Sequence, residues 1–123
     1  MKPVRVLQVI GIMNRAGAES LIMNLYRAID RSVVQFDFVE HGTAPAVYDQ
    51  EIQELGGRIY RCPKFSGKSI LAYRRWWEEF FKLHADEYEV IHGHIGSTAS
   101  IYLSVAKNMG FSPLHTVITP MGL

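Results

Sequence analysis

The chain has 123 residues, 48% of them hydrophobic and 20% charged, an ordinary composition for one globular domain that excludes a disordered tail and a collagen-like or low-complexity chain. Thirteen basic side chains stand against twelve acidic ones, so no global field points to nucleic acid or to a membrane surface. The single cysteine, Cys62, excludes an internal disulfide and cannot alone make a zinc site, which fits a reducing compartment; no apolar run approaches the ~20 residues of a membrane span, and the N-terminus lacks a signal-peptide h-region.

Val4 to Ile10 (VRVLQVI) is β-branched, almost wholly apolar and ends at Gly11, the pattern of a strand buried on both faces. A polar, glycine-bearing turn follows, from Gly11 to Gly17. From Ala18 to Asp30, residues Leu21, Ile22, Leu25, Ala28 and Ile29 recur at helical spacing, with Glu19 in the first turn where it suits the helix dipole. Val34 to Glu40 (VQFDFVE) alternates as a second strand, and His41 to Pro45 reads as a loop. Tyr48 to Leu55 forms a short amphipathic helix stopped by Gly56 and Gly57, and Arg58 to Arg61 a short third strand ended by Pro63. Ser69 caps a helix whose Ile70, Tyr73, Trp77, Phe80 and His84 share one face. Tyr88 to His92 (YEVIH) is the fourth strand, Thr98 to Met109 a helix stopped by Gly110, and Leu114 to Thr119 (LHTVIT) the fifth strand.

This alternation predicts an α/β domain, a parallel sheet with helices on both faces, connected by right-handed crossovers. Ligands of such sheets sit at the carboxyl ends of the strands, which places Gly11 to Gly17, Glu40 to Thr43 and His92 to Ser97 on one rim. The last strand has no helix after it to cover it, so the domain reads as unfinished.

Four groups of residues are candidates for chemistry. The turn entering the first helix offers free backbone N–H groups to an anion, and Gly17 permits close approach. Yet Met13 stands where the dinucleotide fingerprint needs glycine, and Ala16-Gly17-Ala18 where a Walker loop needs Gly-Lys-Ser/Thr, so a plain strand-to-helix turn is the competing reading. His92-Gly93-His94 puts two histidines on the same side of the fourth strand's end, where one can act as a base or bind a sugar hydroxyl or phosphate. The alternative is one buried and one exposed histidine without a role. No metal site is expected, since the spacing is too close and no third ligand is indicated. Glu40 lies where a ribose-binding acid would stand, but reads better as a solvated strand-end carboxylate. Finally, Arg58, Arg61, Lys64, Lys68, Arg74 and Arg75 fall among aromatic residues; the patch can meet phosphates or an anionic membrane, or be a solvated shoulder over the core anchors Trp77 and Phe80, with Trp76 partly exposed. Cys62 reads as a small buried hydrophobe.

With these residues in hand, "VRVLQVIGIMNRAGAESLIMNLYRAI", "FDFVEHG", "EIQELGGRIYRCP" and "VIHGHIGSTASIYLSVAK" together resemble the N-terminal domain of bacterial retaining glycosyltransferases of the GT4 type (glycosyl transferases group 1), those of capsular and exopolysaccharide synthesis above all. The resemblance runs from Met1 to about Gly110. It implies a GT-B fold, in which a Rossmann-like acceptor-side domain faces a donor-binding domain across a cleft. The chain would then be a partial N-terminal domain spanning 1–123, without the donor domain. The resemblance further implies a nucleotide-sugar donor as substrate with no cofactor or catalytic metal, a glycan or lipid-linked acceptor, a cytoplasmic location at the inner face of a membrane, and no part for nucleic acid. Gly17-Ala18-Glu19 matches the family's Gly-Gly-x-Glu turn, with Ala16 in place of its first glycine; His94 matches the family histidine that contacts the sugar or acts as base, with His92 as its strand partner and Gly93 between them. Where the family's fifth strand ends in a further His-containing motif, this chain reads Val117-Ile118-Thr119-Pro120-Met121.

On this reading the chain is the acceptor-side part of a transferase and inactive by itself. The second reading is a non-catalytic α/β binding module that self-associates as a homo-oligomer through its open sheet edge. A dinucleotide oxidoreductase is disfavoured by the missing fingerprint, and a response regulator by the absence of an acidic cluster after Val9-Ile10.

Overall fold

Because β1 (Val4–Val9) carries apolar side chains on both faces, it belongs in the middle of a sheet, and the order β3-β2-β1-β4-β5 places it there. The computed structural model describes residues 2–11, 17–42, 45–64, 68–93, 96–108 and 116–118. Within them follow α1 (Gly17–Ala28), β2 (Val34–His41), α2 (Asp49–Glu54), β3 (Ile59–Cys62), α3 (Ile70–His84), a 3-10 turn (Ala85–Glu87), β4 (Val90–Gly93), α4 (Gly96–Asn108) and β5 (Thr116–Ile118). All four strand pairings are parallel. This is the predicted α/β, Rossmann-like architecture. The expected Gly110 stop, Met109 and both flanks of the fifth strand lie outside the described residues.

Two cores result, one on each face of the sheet. Leu7, Val9, Val39 and Ile91 pack against Tyr73, Trp77, Phe80 and Phe81 of α3 and Tyr102, Val105 and Ala106 of α4. On the other face Ile10, Phe36 and Phe38 meet Ile22, Met23 and Tyr26 of α1 and Ile52 of α2. The helix α2 stops as expected at Gly56, whose φ of +93° is the left-handed region that suits glycine.

The inward face of α1 differs from the sequence expectation. Leu21 is 70% exposed and Leu25 53%, while Met23 and Tyr26 are buried. Tyr26 decides the rotation: its ring stacks on Phe36 at 5.3 Å, and its hydroxyl donates to Gln35 Oε1 at 2.5 Å. A large ring with one polar end sits inward when a partner for that end is waiting there. Ile70, expected on the core face of α3, is instead 45% exposed. Trp76 is half-buried and stacks on Phe80 at 5.2 Å.

Each polar residue inside β2 has a partner. Asp37, completely buried, accepts from Arg5 Nη1 at 2.9 Å, from the Arg58 amide at 2.9 Å and from the Tyr88 hydroxyl at 2.6 Å. Arg5 belongs to β1, Arg58 precedes β3 and Tyr88 precedes β4, so one carboxylate ties the amino ends of four strands together.

Candidate functional site

The carboxyl ends of β1 to β4 and the start of α1 form a single rim, because parallel strands all point the same way. Ile10 and Gly11 stand at the end of β1, Glu40 and His41 at the end of β2, Arg61 and Cys62 at the end of β3, and His92 and Gly93 at the end of β4. The helix α1 begins at Gly17 with half-buried Glu19 in its first turn. Ala16 and His94 lie outside the described residues, as does most of the turn from Gly11 to Gly17.

Strand register separates the rim residues by face. His92 pairs with Gln8 of β1, and the neighbours Leu7 and Val9 belong to the α3–α4 core, so Gln8 and His92 face the α1 side. Burial lowers the pKa of His92, which favours the neutral imidazole that a base or a hydrogen-bond acceptor requires. Gly93 faces the other way. A Cβ built there would lie 2.2 Å from the Tyr102 hydroxyl, so packing alone already demands glycine.

Glu40 is not the solvated strand-end carboxylate that its position suggested. It is 1% exposed, with Arg61 Nη1 of the adjacent strand 3.5 Å from its Oε1. Arg61 also bonds Asp49 Oδ2 at 2.5 Å, and that same oxygen accepts the Ala46 amide at 2.8 Å. Burial pulls the Asp49 pKa upward, but the neighbouring Glu40 carboxyl, the Ala46 amide and Arg61 together hold it below the ordinary carboxylate range. The guanidinium is therefore committed to the fold. Register explains the cluster: Glu40 and Arg61 are direct partners in the β2–β3 ladder.

The supposed basic patch divides in the same manner. Arg58 pairs with Glu87 at 2.6 Å and Arg74 with Glu78 at 3.4 Å. Lys64, Lys68 and Arg75 are exposed and carry no ion pair among the described residues. In the chain they flank the start of α3, where Leu71 is 76% exposed. Cys62 is buried as expected, and burial pushes its thiol up to about 12, which excludes a thiolate nucleophile near neutral pH.

One residue that the sequence places on the rim is not singled out there as a candidate. His41 was assigned to a loop, but it is the last residue of β2, half-buried, with both ring nitrogens engaged. Burial lowers its pKa, so it stays neutral. The only signal available was its place directly after an alternating strand. Among the described residues no group of three or more His, Cys, Asp or Glu is arranged to hold a metal ion, and no helix is long and apolar enough to cross a membrane.

No family model matches the chain. It is 41% identical over 90 residues to "Putative glycosyltransferase EpsF" of Bacillus subtilis (strain 168), a match that covers 73% of this chain and 23% of EpsF. The chain thus spans about a quarter of the length of the curated relative it matches. In fold it is similar to the crystal structure of Acinetobacter baumannii MurG, with a TM-score of 0.63 at 12% identity over 94% of this chain and 34% of that one. By sequence, then, the chain is a homologue of part of a glycosyltransferase-type protein, and it folds as a Rossmann-like α/β domain.

Proposed function

We propose that this chain is the acceptor-side domain of a retaining, nucleotide-sugar-dependent glycosyltransferase of the GT4 type that builds a polysaccharide. The observation that carries this reading is the 41% identity to EpsF over 90 residues. The rim supports it chemically. A helix that starts at Gly17, shortly after β1 in the chain, would offer its N-terminal N–H groups and the positive end of its dipole to a diphosphate leaving group. Glu19, being anionic, suits a hydroxyl of the transferred sugar rather than the diphosphate. His92 and His94 would face the acceptor, with His94 as the catalytic base or sugar contact and Gly93 between them, while Gly17 allows close approach and Ala16 adds a methyl where the family has glycine. The donor-binding domain would come from further chain, and the 123 residues alone would transfer nothing.

A chimera in which this chain replaces the matching segment of EpsF tests the reading. It is expected to transfer sugar from a nucleotide-sugar donor, and Glu19→Ala and His94→Ala are expected to lower kcat/KM by about a hundredfold or more. A folded chimera that transfers nothing overturns the proposal.

A peripheral contact with the cytoplasmic face of a membrane accompanies this function. Leu71 and Ile70 are 76% and 45% exposed at the tip of α3, beside Lys64, Lys68 and Arg75. Three cations at about 1 kcal/mol each favour an anionic bilayer. The chain is expected to sediment with phosphatidylglycerol vesicles but not phosphatidylcholine vesicles, and to lose this in K68E/R75E. Equal behaviour with both lipids overturns the contact.

A further inference from the structure

The last bonds between β1 and β2 are irregular. The Ile10 amide donates to the Val39 carbonyl at 2.9 Å in ladder register, and one more regular step would bring the His41 amide to the Ile10 carbonyl. Instead, the His41 amide donates to the Gly11 carbonyl at 2.6 Å, and the Ile10 carbonyl is bound by His41 Nδ1 at 2.7 Å. One residue therefore holds both carbonyls at the exit of β1. A carbonyl only accepts, so Nδ1 carries the proton; Nε2 of the neutral ring then accepts the Tyr73 hydroxyl at 2.7 Å. Tyr73 is completely buried in the first turn of α3, and its ring stacks on the imidazole at 5.5 Å. The exit of β1 is thus braced, through one imidazole, against the helix on the opposite face from α1.

We propose that His41 is a positioning residue of the rim: it sets the direction in which the chain leaves β1 at Ile10 and Gly11. What the rim then meets rests on the transferase reading; the bracing itself does not. An irregular strand end is where a peptide chain most needs outside restraint, because the ladder no longer supplies it. Here the restraint is both backbone and side chain of a single residue; the Ile10 carbonyl enforces the tautomer, and the Tyr73 hydroxyl is able to donate to the nitrogen left bare.

The test uses the whole 123-residue chain. Long-range nitrogen–proton spectra at neutral pH are expected to show His41 as the Nδ1–H tautomer; the Nε2–H tautomer overturns the proposal. His41→Phe keeps the ring volume and removes both nitrogens. It is expected to raise hydrogen exchange of the amide at position 41 by about fivefold to tenfold, the scale of one lost hydrogen bond, with the Leu7 and Phe38 amides unchanged. His41→Asn, which keeps an N–H where Nδ1–H stood, is expected to restore most of that protection, as a merely space-filling role would not. Equal exchange in wild type and His41→Phe overturns the proposal. Should His41→Phe fail to fold, Tyr73→Phe is decisive: it is expected to shift the His41 Nε2 resonance, and an unmoved resonance overturns the bracing. No sugar donor enters these measurements, so they and the chimera can fail independently.

Discussion

Replacing Asp37 with alanine is expected to cost about 3–5 kcal/mol of folding stability, because it leaves buried donors facing an empty site. Arg5 loses a carboxylate that it reaches with Nη1 at 2.9 Å from each oxygen, and the Tyr88 hydroxyl and Arg58 amide lose their acceptor together. A domain of this size is stable by only about 5–15 kcal/mol, so the loss is a large share of the total. Urea denaturation followed by circular dichroism measures it, with a lower midpoint at an unchanged slope as the expected result. A loss below about 1 kcal/mol would show that water replaces the carboxylate without penalty. The consequence reaches function through register. Asp37 aligns β1, β2, β3 and β4 at their amino ends, and a one-residue slip would send every rim side chain to the opposite face.

Gly93→Ala is the second large effect, at about 1–3 kcal/mol of destabilisation from overpacking. The added methyl would lie 2.2 Å from the Tyr102 hydroxyl and 3.2 Å from its Cζ. Tyr102 cannot easily yield, since it is fully buried and packs on Trp77 with ring centroids 5.1 Å apart. Adding Tyr102→Phe to Gly93→Ala should recover part of the loss, because the closest contact is the hydroxyl, while the ring carbons remain tight. The double-mutant cycle by thermal or urea denaturation measures this coupling. Full stability in the single variant would mean that glycine is kept at this position for a ligand rather than for Tyr102.

These two residues illustrate different degrees of legibility. Gly93 stands out in the sequence as the glycine between two histidines at a strand end, on the rim where ligands bind. The tertiary structure supplies a further reason, a tyrosine from α4 that no local pattern announces. Asp37 looked like one polar residue in an alternating strand. Its role depends on three partners that are 32, 21 and 51 positions away in the chain. Glu40 was misread for the same reason, since its burial is made by Arg61 from β3 and Asp49 from α2. His41 reads as loop in the sequence because β2 is extended to it by its ladder partner Cys62 on β3, which no local pattern announces.

What the sequence determines by itself is the order of elements, the parallel sheet and the rim on which Gly17, Glu19, His92 and Gly93 stand. Those follow from hydrophobic period and from glycine and proline punctuation, both of which act over a few neighbouring residues. The resemblance to a glycosyltransferase domain was also legible in runs of adjacent residues. Only the tertiary structure decides which face of α1 turns inward, which charges are used up inside the fold, and which histidine holds the end of β1. Each of those is settled by partners brought together from distant parts of the chain, where the cost of burying an unpaired polar group selects one arrangement among several that the local pattern allows.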